Sequence, residues 1–353
     1  MEPLKRLQSW LRENDGAGVI ITNRKNIYYY SGFRGSNGLL AIDAEGRYEL
    51  LTDFRYLTQA AVQAPDWPIR QSTLNLFTTL ADFQGSKGGK WFFEGQFISF
   101  SDSQKLPKLD GRTYESCDLE PLRQIKSEEE IGKIRQAANI ADKAFSELLG
   151  WIRPGVTERE VALFLDFAMM KSGAEKTSFA TIVGSGPNGA LPHAVPGERA
   201  LTEGDLVVID FGAVYDGYCS DETRTLAIGK ATEEQKRIYQ IVLKAQLAGL
   251  EAICPGVSNL AVDRASRDII TEAGYGDRFG HGLGHGVGIE IHEDPRFSPQ
   301  AAETFLKEQM VMTVEPGIYL PEWGGIRIED LVVVRSGGCE ILSTTTKDLL
   351  EIC

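Results

Sequence analysis

The sequence predicts a two-domain α+β protein, in which a mixed α/β domain over residues 1–122 precedes a larger domain over residues 127–353 that is made of two related halves. Three observations support this prediction: the length of the chain, a change of pattern after residue 122, and an internal repeat. At 353 residues the chain exceeds the usual size of one domain. Its hydrophobic fraction of 42% and charged fraction of 25% are typical of a globular protein with a sizeable core.

Short apolar runs separated by turn residues indicate the mixed α/β structure of the first domain. An amphipathic helix begins near the N-terminus, and a buried strand is predicted over residues 18–22, followed by a second strand-like segment over residues 26–30. Residues 39–43 and 48–52 flank Ala-Glu-Gly, which indicates a hairpin, and a further strand is predicted over residues 90–94.

A capping box marks the start of the second domain. Ser127 is followed three residues later by Glu130, a pattern in which each side chain accepts a hydrogen bond from the backbone N–H of the other residue. Apolar residues then recur at helical spacing along one stripe, at Ile131, Ile134, Ala138, Ala141 and Phe145. The domain boundary is therefore predicted in the segment that leads up to Ser127.

An internal repeat divides the second domain. The segment Pro-Gly-Val-Thr at residues 154–157 recurs as Pro-Gly-Val-Ser at residues 255–258, an offset of 101 that persists through the following helix. Strand-like segments at residues 205–210 and 309–315 correspond more loosely, and each ends at an acidic residue. We therefore predict two related half-domains whose strands form a common sheet with the helices outside.

The composition excludes several classes of partner. A formal net charge of −13 argues against nucleic acid and anionic membranes, both of which favour a basic face. The five cysteines are widely spaced and include no C-x-x-C pair, which is typical of reduced thiols rather than of a disulfide framework. No secretion signal and no apolar run of membrane-spanning length are evident. These features predict a cytoplasmic protein that binds neither nucleic acid nor membrane.

Four histidines are the first sign of a reaction centre. His281, His285 and His292 fall within twelve glycine-rich residues, and His193 stands in a Gly/Pro-rich loop. Imidazole titrates near neutral pH and is the commonest metal ligand. A chance cluster of structural histidines would also give this pattern, so the acidic residues of the chain decide between the two interpretations.

Asp210 and Asp221 are predicted to lie on one face of a hairpin. Asp216-Gly217 is a strong signal for a two-residue turn, and this turn pairs residue 212 with residue 221. Residue 210 shares a face with residue 212, because side chains alternate along a strand. The two carboxylates are therefore diagonal neighbours, close enough to share an ion.

Glu315 and Glu329 repeat this arrangement, because a turn centred on residue 322 sets them opposite one another. Four carboxylates on an apolar face would repel one another unless they were protonated or neutralised by cations. Four oxygen donors and one imidazole suit Mn²⁺, Fe²⁺ or Co²⁺ better than a structural zinc ion. Bridging carboxylates suit a pair of ions roughly 3.5 to 4 Å apart. The sequence therefore predicts a site for two divalent metal ions.

Six segments of the second domain occur together in the order of a known family: residues 208–212, 220–225, 281–288, 291–293, 313–319 and 325–330. In them the chain resembles the pita-bread (creatinase/aminopeptidase) metallopeptidases, which include Xaa-Pro aminopeptidase, Xaa-Pro dipeptidase (prolidase) and methionine aminopeptidase. The resemblance implies a pita-bread catalytic domain with two pseudo-symmetric halves. Residues 31–36 and 52–56 are similar to the creatinase-like N-terminal domain of short bacterial Xaa-Pro peptidases.

The resemblance assigns the metal ligands position by position. It implies that Asp210 holds one ion, that His285 and Glu315 hold the other, and that Asp221 and Glu329 bridge both. Mn²⁺ is the expected metal, with Co²⁺, Fe²⁺ or Zn²⁺ as alternatives. A hydroxide held between the ions would be the nucleophile, and Glu315 would carry its proton to the leaving amine.

The resemblance also implies residues that handle the substrate. His193 and His292 match positions that hydrogen-bond the scissile carbonyl and the developing oxyanion. His281 and Arg327 match positions near the proline side of the substrate and in the network around the metal ligands.

Three functions remain open at this stage. The expected activity is that of an Xaa-Pro aminopeptidase, which hydrolyses the bond between an N-terminal residue and a following proline. The alternative is a prolidase restricted to dipeptides, which needs a fixed cation to bind the free carboxylate of its substrate, and Arg34, Arg55 or Arg327 could supply it. A non-catalytic binding protein of the same fold is less favoured, because such relatives typically lose metal ligands and this chain has all five.

The resemblance further implies a homodimer. In the relatives, the N-terminal domain helps to form the dimer and partly covers the neighbouring active site. The expected partners are therefore a second copy of the chain and peptide substrates with proline at the second position.

Overall fold

The computed structural model describes residues 2–73, 75–108 and 111–353. The chain divides into two compact units, residues 1–123 and 124–353, and each unit has hydrophobic cores of its own. Among the described residues, no helix has both the length and the apolar character needed to cross a membrane.

The first unit is built around a mixed β-sheet. Its helices and strands are, in chain order, α1 (Glu2–Glu13), β1 (Gly16–Ile21), α2 (Arg24–Ser31), β2 (Gly38–Asp43), β3 (Tyr48–Asp53), α3 (Leu57–Gln63), β4 (Ile69–Ser72), α4 (Leu76–Thr79), β5 (Gly89–Glu94), α5 (Phe100–Ser103) and β6 (Arg112–Cys117). The six strands follow the order β4-β3-β2-β1-β5-β6. Strands β2 and β3 form the predicted hairpin, with Ile42 opposite Tyr48. Alternate residues of the sheet enter two separate apolar clusters, so both of its faces are covered.

The strand-like prediction for residues 26–30 is wrong, because these residues lie in helix α2. The Asn23 side chain accepts a hydrogen bond from the backbone N–H of Lys25 at the start of the helix, and Gly32 ends it with a φ of 80°. Ile27 and Tyr30 are buried three residues apart, which is helical spacing. The capping residues and this burial override the weak strand preference of aromatic residues.

The second unit contains the repeated halves. Its elements are α6 (Glu128–Leu149), α7 (Glu158–Lys171), β7 (Lys176–Thr177), β8 (Ile182–Ser185), β9 (Leu206–Phe211), β10 (Ala213–Tyr215), β11 (Tyr218–Cys219), β12 (Glu222–Ile228), α8 (Glu233–Ala252), α9 (Asn259–Glu272), β13 (Gly284–Gly286), β14 (Glu293–Phe297), β15 (Val311–Val314), β16 (Gly317–Leu320), β17 (Gly324–Arg327), β18 (Asp330–Arg335), β19 (Gly338–Ile341) and β20 (Glu351–Ile352). Helix α6 begins at the predicted capping box and buries the predicted apolar stripe.

The internal repeat is confirmed by matching helices and matching hydrogen bonds. Helices α7 and α9 each span 14 residues and begin at positions that differ by the predicted offset. Before α7, the backbone N–H of Gly155 donates to the carbonyl of Leu201, and before α9 the backbone N–H of Gly256 donates to the carbonyl of Leu306, both at 2.8 Å. Each half also buries most of one apolar cluster, although Leu206 and Ala227 of the first half belong to the cluster of the second.

Both predicted hairpin registers are confirmed. In the first half, Val214 pairs with Cys219 around the Asp216-Gly217 turn, and Asp210 pairs with Thr223 farther along. Gly217 adopts a φ of 77°, which glycine tolerates without strain. In the second half, the pairs Leu320–Gly324 and Gly317–Arg327 are centred on residue 322, and the next strands continue in the same register with Val314 opposite Asp330.

The predicted common sheet is interrupted between the halves. The first half forms a four-stranded sheet of order β20-β12-β9-β8, and the second half a five-stranded sheet of order β14-β13-β15-β18-β19. The backbone N–H of Glu329 donates to the carbonyl of Thr223 at 3.1 Å, and the Thr225 hydroxyl donates to the carbonyl of Arg327 at 2.9 Å. Because a side chain replaces part of the backbone ladder, the sheets meet at a junction, which we call the seam (Thr223, Thr225, Arg327 and Glu329).

Candidate metal centre

The five candidate ligands come from both halves and meet at the seam. Asp210 lies in β9, and Asp221 lies directly before β12. His285 lies in β13. Glu315 directly follows β15, and Glu329 lies two residues after the end of β17. Ligand atoms of Asp221, His285 and Glu329 all lie within 4.8 Å of one another. His285 Nε2 lies 3.5 Å from both Asp221 Oδ2 and Glu315 Oε1. The structure therefore brings carboxylates of both hairpins to one imidazole.

Close packing of β13 against β15 presents the imidazole of His285. A Cβ on Gly284 would lie 2.1 Å from the carbonyl oxygen of Thr313, so glycine is required at this approach. The backbone N–H of His285 donates to Thr313 Oγ1 at 3.0 Å, and this hydroxyl lies 3.3 Å from Glu315 Oε1. His285 Nδ1 lies 3.0 Å from the carbonyl oxygen of Gly286, so it carries the proton and leaves Nε2 free to bind a metal.

Burial places the acidic side chains of this cluster under electrostatic strain. The pKa values of Asp221 and Glu329 are raised well above their usual range, first by burial and then by the neighbouring carboxylates. Burial also raises the pKa of Glu315 to about 8, and it lowers the pKa of His285 to about 3, which keeps the imidazole neutral. A divalent cation would favour the charged carboxylates and would leave the neutral imidazole as a ligand.

Two buried oxygen atoms support the assignment of a metal site. Asp210 Oδ1 and Glu329 Oε1 make no hydrogen bond to any residue that the structure describes. Buried polar atoms nearly always have a partner, so these oxygens are available to a cation. Carboxylate oxygens together with one neutral imidazole suit divalent Mn, Fe, Co or Zn. The residues present therefore fit the divalent ions that the sequence predicts.

Arg327 lies buried behind the ligands, with 3% of its surface exposed. Its Nη2 donates to Asp210 Oδ2 at 2.6 Å, and its Nη1 donates to the Tyr319 hydroxyl at 2.9 Å. Its Nε donates to Thr223 Oγ1, and that hydroxyl in turn donates to Glu329 Oε2 at 2.6 Å. Because each nitrogen is engaged within the protein, the geometry favours a positioning role for Arg327 over the substrate contact that the sequence predicts.

His193 and His292 lie on the exposed side of the cluster, where a substrate could reach them. The carbonyl of Pro192, directly before His193, accepts a hydrogen bond from Arg327 Nη1 at 3.3 Å, which ties this loop to the seam. The ring of His292 lies 4.4 Å from the ring of His285, measured between centroids. The ring of His292 therefore lies beside the candidate ligand His285, and the imidazole of His193 is near enough to Asp210 to act on the pKa of that carboxylate.

His281 is held by the same network from another side. Its Nε2 lies 2.9 Å from the Tyr319 hydroxyl, and its Nδ1 lies 2.7 Å from the carbonyl oxygen of Gly282. Burial lowers its pKa to about 4, so the ring is neutral. Tyr319 thus connects His281 with Arg327, a link that the sequence reasoning missed.

The sequence reasoning also missed Arg296. It pairs with His285 across β13 and β14, so the two side chains share one face. The charge of Arg296 adds to burial in lowering the pKa values of His285 and His292. Its side chain is 56% exposed and lies 3.7 Å from Asp294. Exposure alternates at residues 292, 294 and 296 in the folded strand, but the local sequence gives no signal that pairs Arg296 with His285.

Comparison with known proteins identifies related sequences along both units. A model of metallopeptidase family M24 matches residues 132–336, and a model of the creatinase/prolidase N-terminal domain matches residues 3–125. An Xaa-Pro dipeptidase from Pyrococcus furiosus is 40% identical over 355 residues, and the match covers 99% of each chain.

Solved structures show the same two-domain fold. An Xaa-Pro dipeptidase from Bacillus anthracis superposes with a TM-score of 0.93 at 41% identity, and the match covers 99% of both chains. An X-Pro aminopeptidase from Thermotoga maritima superposes with a TM-score of 0.88 at 38% identity, covering 95% of this chain and 97% of the other. Both kinds of activity therefore occur among proteins of this fold and similarity.

Proposed function

Since this chain belongs to metallopeptidase family M24 and is a peptide hydrolase with the two-domain creatinase and pita-bread fold, we propose that it is an Xaa-Pro dipeptidase. The sequence alone favoured an Xaa-Pro aminopeptidase, with the dipeptidase as the alternative. The dipeptidases among its relatives and the position of Arg296 support the alternative.

The proposed metal ligands are Asp210, Asp221, His285, Glu315 and Glu329, which would hold two divalent ions, with Mn²⁺ as the first candidate. When bound, such ions lower the pKa of water and polarise a peptide carbonyl. The buried and unpartnered oxygens of Asp210 and Glu329 among the described residues support this assignment.

The proposed catalytic groups surround these ligands. The carboxylate of Glu315 takes a proton from the attacking water and passes it to the nitrogen of the leaving proline. His193 and His292 donate hydrogen bonds to the oxygen of the scissile carbonyl, where negative charge develops. His281, which contacts the Tyr319 hydroxyl, lines the part of the site that binds the proline of the substrate.

The position of Arg296 is the structural reason to propose a dipeptide as the substrate. In an Xaa-Pro dipeptide, the proline that follows the scissile bond carries the free C-terminal carboxylate. A fixed cation near the catalytic histidines would bind this carboxylate. Arg296 shares a face with His285, and its charge acts on His292. Arg327, considered for this role from the sequence, is buried and engaged with Asp210.

A comparison of matched substrates tests the proposal. The Mn²⁺-loaded protein is assayed with Ala-Pro, with its C-terminal amide and with Ala-Pro-Ala, and kcat and KM are measured for each. We expect Ala-Pro to be the preferred substrate, because it is the only one of the three in which proline itself carries a free carboxylate. Replacing Arg296 with Gln should raise KM for Ala-Pro about tenfold or more while leaving the amide unaffected, since one charge-assisted hydrogen bond contributes about 1.5–3 kcal/mol.

The exposed Arg264 provides a control, because Arg264→Gln removes the same charge from the surface of helix α9, which carries none of the proposed site residues. If Ala-Pro-Ala is cleaved at least as efficiently as Ala-Pro, and Arg296→Gln changes neither, the protein is an aminopeptidase and the proposal fails.

Two further properties stand as proposals. We propose a homodimer, as the resemblance implies, and size-exclusion chromatography with light scattering tests it; a mass of one chain would contradict it. We also propose a cytoplasmic location, which the five free cysteines support.

A further inference from the structure

A buried charged cluster lies directly behind the candidate metal ligands. Glu222 follows the ligand Asp221 in sequence, and Asp330 follows the ligand Glu329. Successive side chains along a strand point to opposite faces, so these two carboxylates lie on the reverse side of the seam. Both are at least 98% buried, as is Arg224 between them, because their exposed fractions are 2%, 1% and 2%.

The guanidinium of Arg224 joins the two halves across the seam. Its Nη2 lies 2.9 Å from Glu222 Oε1 in the first half and 2.9 Å from Asp330 Oδ1 in the second. Its Nη1 donates to the carbonyl of Thr223 at 2.9 Å and also to the carbonyl of Glu329. One side chain thus contacts the residue next to each of the candidate ligands Asp221 and Glu329, as well as the backbone of Glu329 itself.

The C-terminal segment closes this cluster. Arg224 Nε donates to the carbonyl of Thr346 at 3.0 Å, and Nη2 donates to the carbonyl of Thr345 at 2.9 Å. Lys347 Nζ lies 2.6 Å from Asp330 Oδ2, and the Thr345 hydroxyl donates to Glu222. With these contacts, every nitrogen of the guanidinium is engaged, and its orientation is fixed.

Burying an arginine is costly, and an ion pair of this kind is weak evidence for a gain in stability. A planar guanidinium can nevertheless contact several acceptors at fixed angles, which a lysine ammonium cannot do. The two sheets share few backbone hydrogen bonds at the seam, so their spacing there depends on side chains. Arg327 contacts both halves on the face of the ligands, and Arg224 does so on the reverse face in the described part of the chain.

We propose that Arg224 is a positioning residue that sets the separation of the bridging ligands Asp221 and Glu329, and thereby the distance between the two metal ions. This inference rests on the proposed dinuclear centre. Arg224 touches no substrate and no reacting atom. It acts through the backbone of residues 221–224 and 328–330, which carry the two ligands on the opposite face.

Metal binding is the direct test of this role. The variants Arg224→Met and Arg224→Lys are compared with wild type and with Arg199→Met, which removes an arginine whose ion pair and hydrogen bonds go to Asp205, Ser185 and Ala200 rather than to residues of the seam. Folding without metal is followed by circular dichroism and thermal unfolding in EDTA. Binding of Mn²⁺ is measured by calorimetry, and electron paramagnetic resonance reports the spin coupling between two neighbouring Mn²⁺ ions.

We expect wild type and Arg199→Met to bind two Mn²⁺ ions with a spin-coupled spectrum. Arg224→Met should fold, but its Mn²⁺ affinity should fall about 10- to 100-fold, as for other groups that orient metal ligands. Its coupled spectrum should be lost or altered. Arg224→Lys should show an altered coupling, because one ammonium cannot reach acceptors in both halves at once. In both variants kcat should fall while KM stays near the wild-type value.

The outcomes separate this inference from the proposed function. A wild-type spectrum and wild-type affinity in Arg224→Met would overturn the role of Arg224. If Arg224→Met does not fold, Arg224→Lys decides, and a wild-type spectrum in that folded variant would overturn it equally. If wild type itself binds no pair of Mn²⁺ ions, the proposed dinuclear centre fails instead.

Discussion

Replacing Glu315 with Gln should stabilise the metal-free protein and abolish peptide cleavage. Gln has the shape of Glu but cannot ionise, so it removes one negative charge from the buried cluster. Burial raises the pKa of Glu315 from its usual value of 4.5 to about 8, so folding disfavours the ionised form. Without metal, the ionised side chain therefore costs stability that Gln does not.

The size of this cost follows from the pKa difference. A change from 4.5 to about 8 corresponds to about 5 kcal/mol for an isolated group. The Glu315 side chain is 17% exposed, and nearby carboxylates share its protonation, so we expect about 2–4 kcal/mol. The folded pKa is higher than the unfolded one, so the cost is absent below pH 4.5, grows as the pH rises, and is complete above pH 8.

Urea unfolding in EDTA at pH 5 and pH 9 measures this difference. We expect wild type and Glu315→Gln to agree within about 1 kcal/mol at pH 5, and the variant to be more stable by about 2–4 kcal/mol at pH 9. With Mn²⁺ present the order should reverse, because metal binding stabilises the wild type and the variant has lost a ligand. Cleavage of Ala-Pro should fall by roughly 10²–10⁴-fold or more.

The decisive comparison is the chelated protein at pH 9. If Glu315→Gln is equal to wild type there, or less stable, then Glu315 is not held in a strained acidic cluster. Full peptidase activity in the folded variant would refute the assigned ligand and proton-transfer role.

Two further predictions follow from the site. His292→Ala should lower kcat for Ala-Pro by about 10²–10³-fold with little change in KM, because His292 is proposed to hydrogen-bond the developing oxyanion; an unchanged kcat in steady-state assays would rule this out. Binding of Mn²⁺ at pH 7 should release protons, since the pKa values of Asp221 and Glu329 are raised well above their usual range by burial and by their neighbours. Calorimetry in buffers of different ionisation enthalpy measures this release, and a binding enthalpy that does not depend on the buffer would contradict it.

The sequence predicts the second unit better than the first, because residue types at the turns of the second unit specify the turn length and therefore the strand register. Asp216-Gly217 specifies a two-residue turn, and this turn alone sets the register that places Asp210 opposite Thr223. The hairpin centred on residue 322 is predicted by symmetry in the same way. Because register fixes which side chains share a face, the candidate ligands could be grouped before the structure was known.

Long-range contacts account for what the sequence did not predict. The helical state of residues 26–30 depends partly on Glu94, which accepts hydrogen bonds from the backbone of Thr22 and Asn23 at 2.7 Å. Arg296 gains its candidate role only from pairing with His285. The interrupted sheet depends on Thr225, whose hydroxyl replaces a backbone partner. None of these contacts leaves a periodic signal in the local sequence.

The internal repeat explains the mixture of ligands at the candidate centre. Each half supplies two carboxylates from a strand and its hairpin partner, which accounts for four oxygen donors in a symmetric set. The imidazole breaks this symmetry, because the offset of the repeat maps His285 in β13 onto Gly184 in β8. A Cβ at Gly184 would lie 2.8 Å from the carbonyl oxygen of Asn188, so the first half has no space for a ligand there. The two metal positions therefore have different ligands, because only the second half supplies an imidazole. We expect the two Mn²⁺ ions to bind with different affinities.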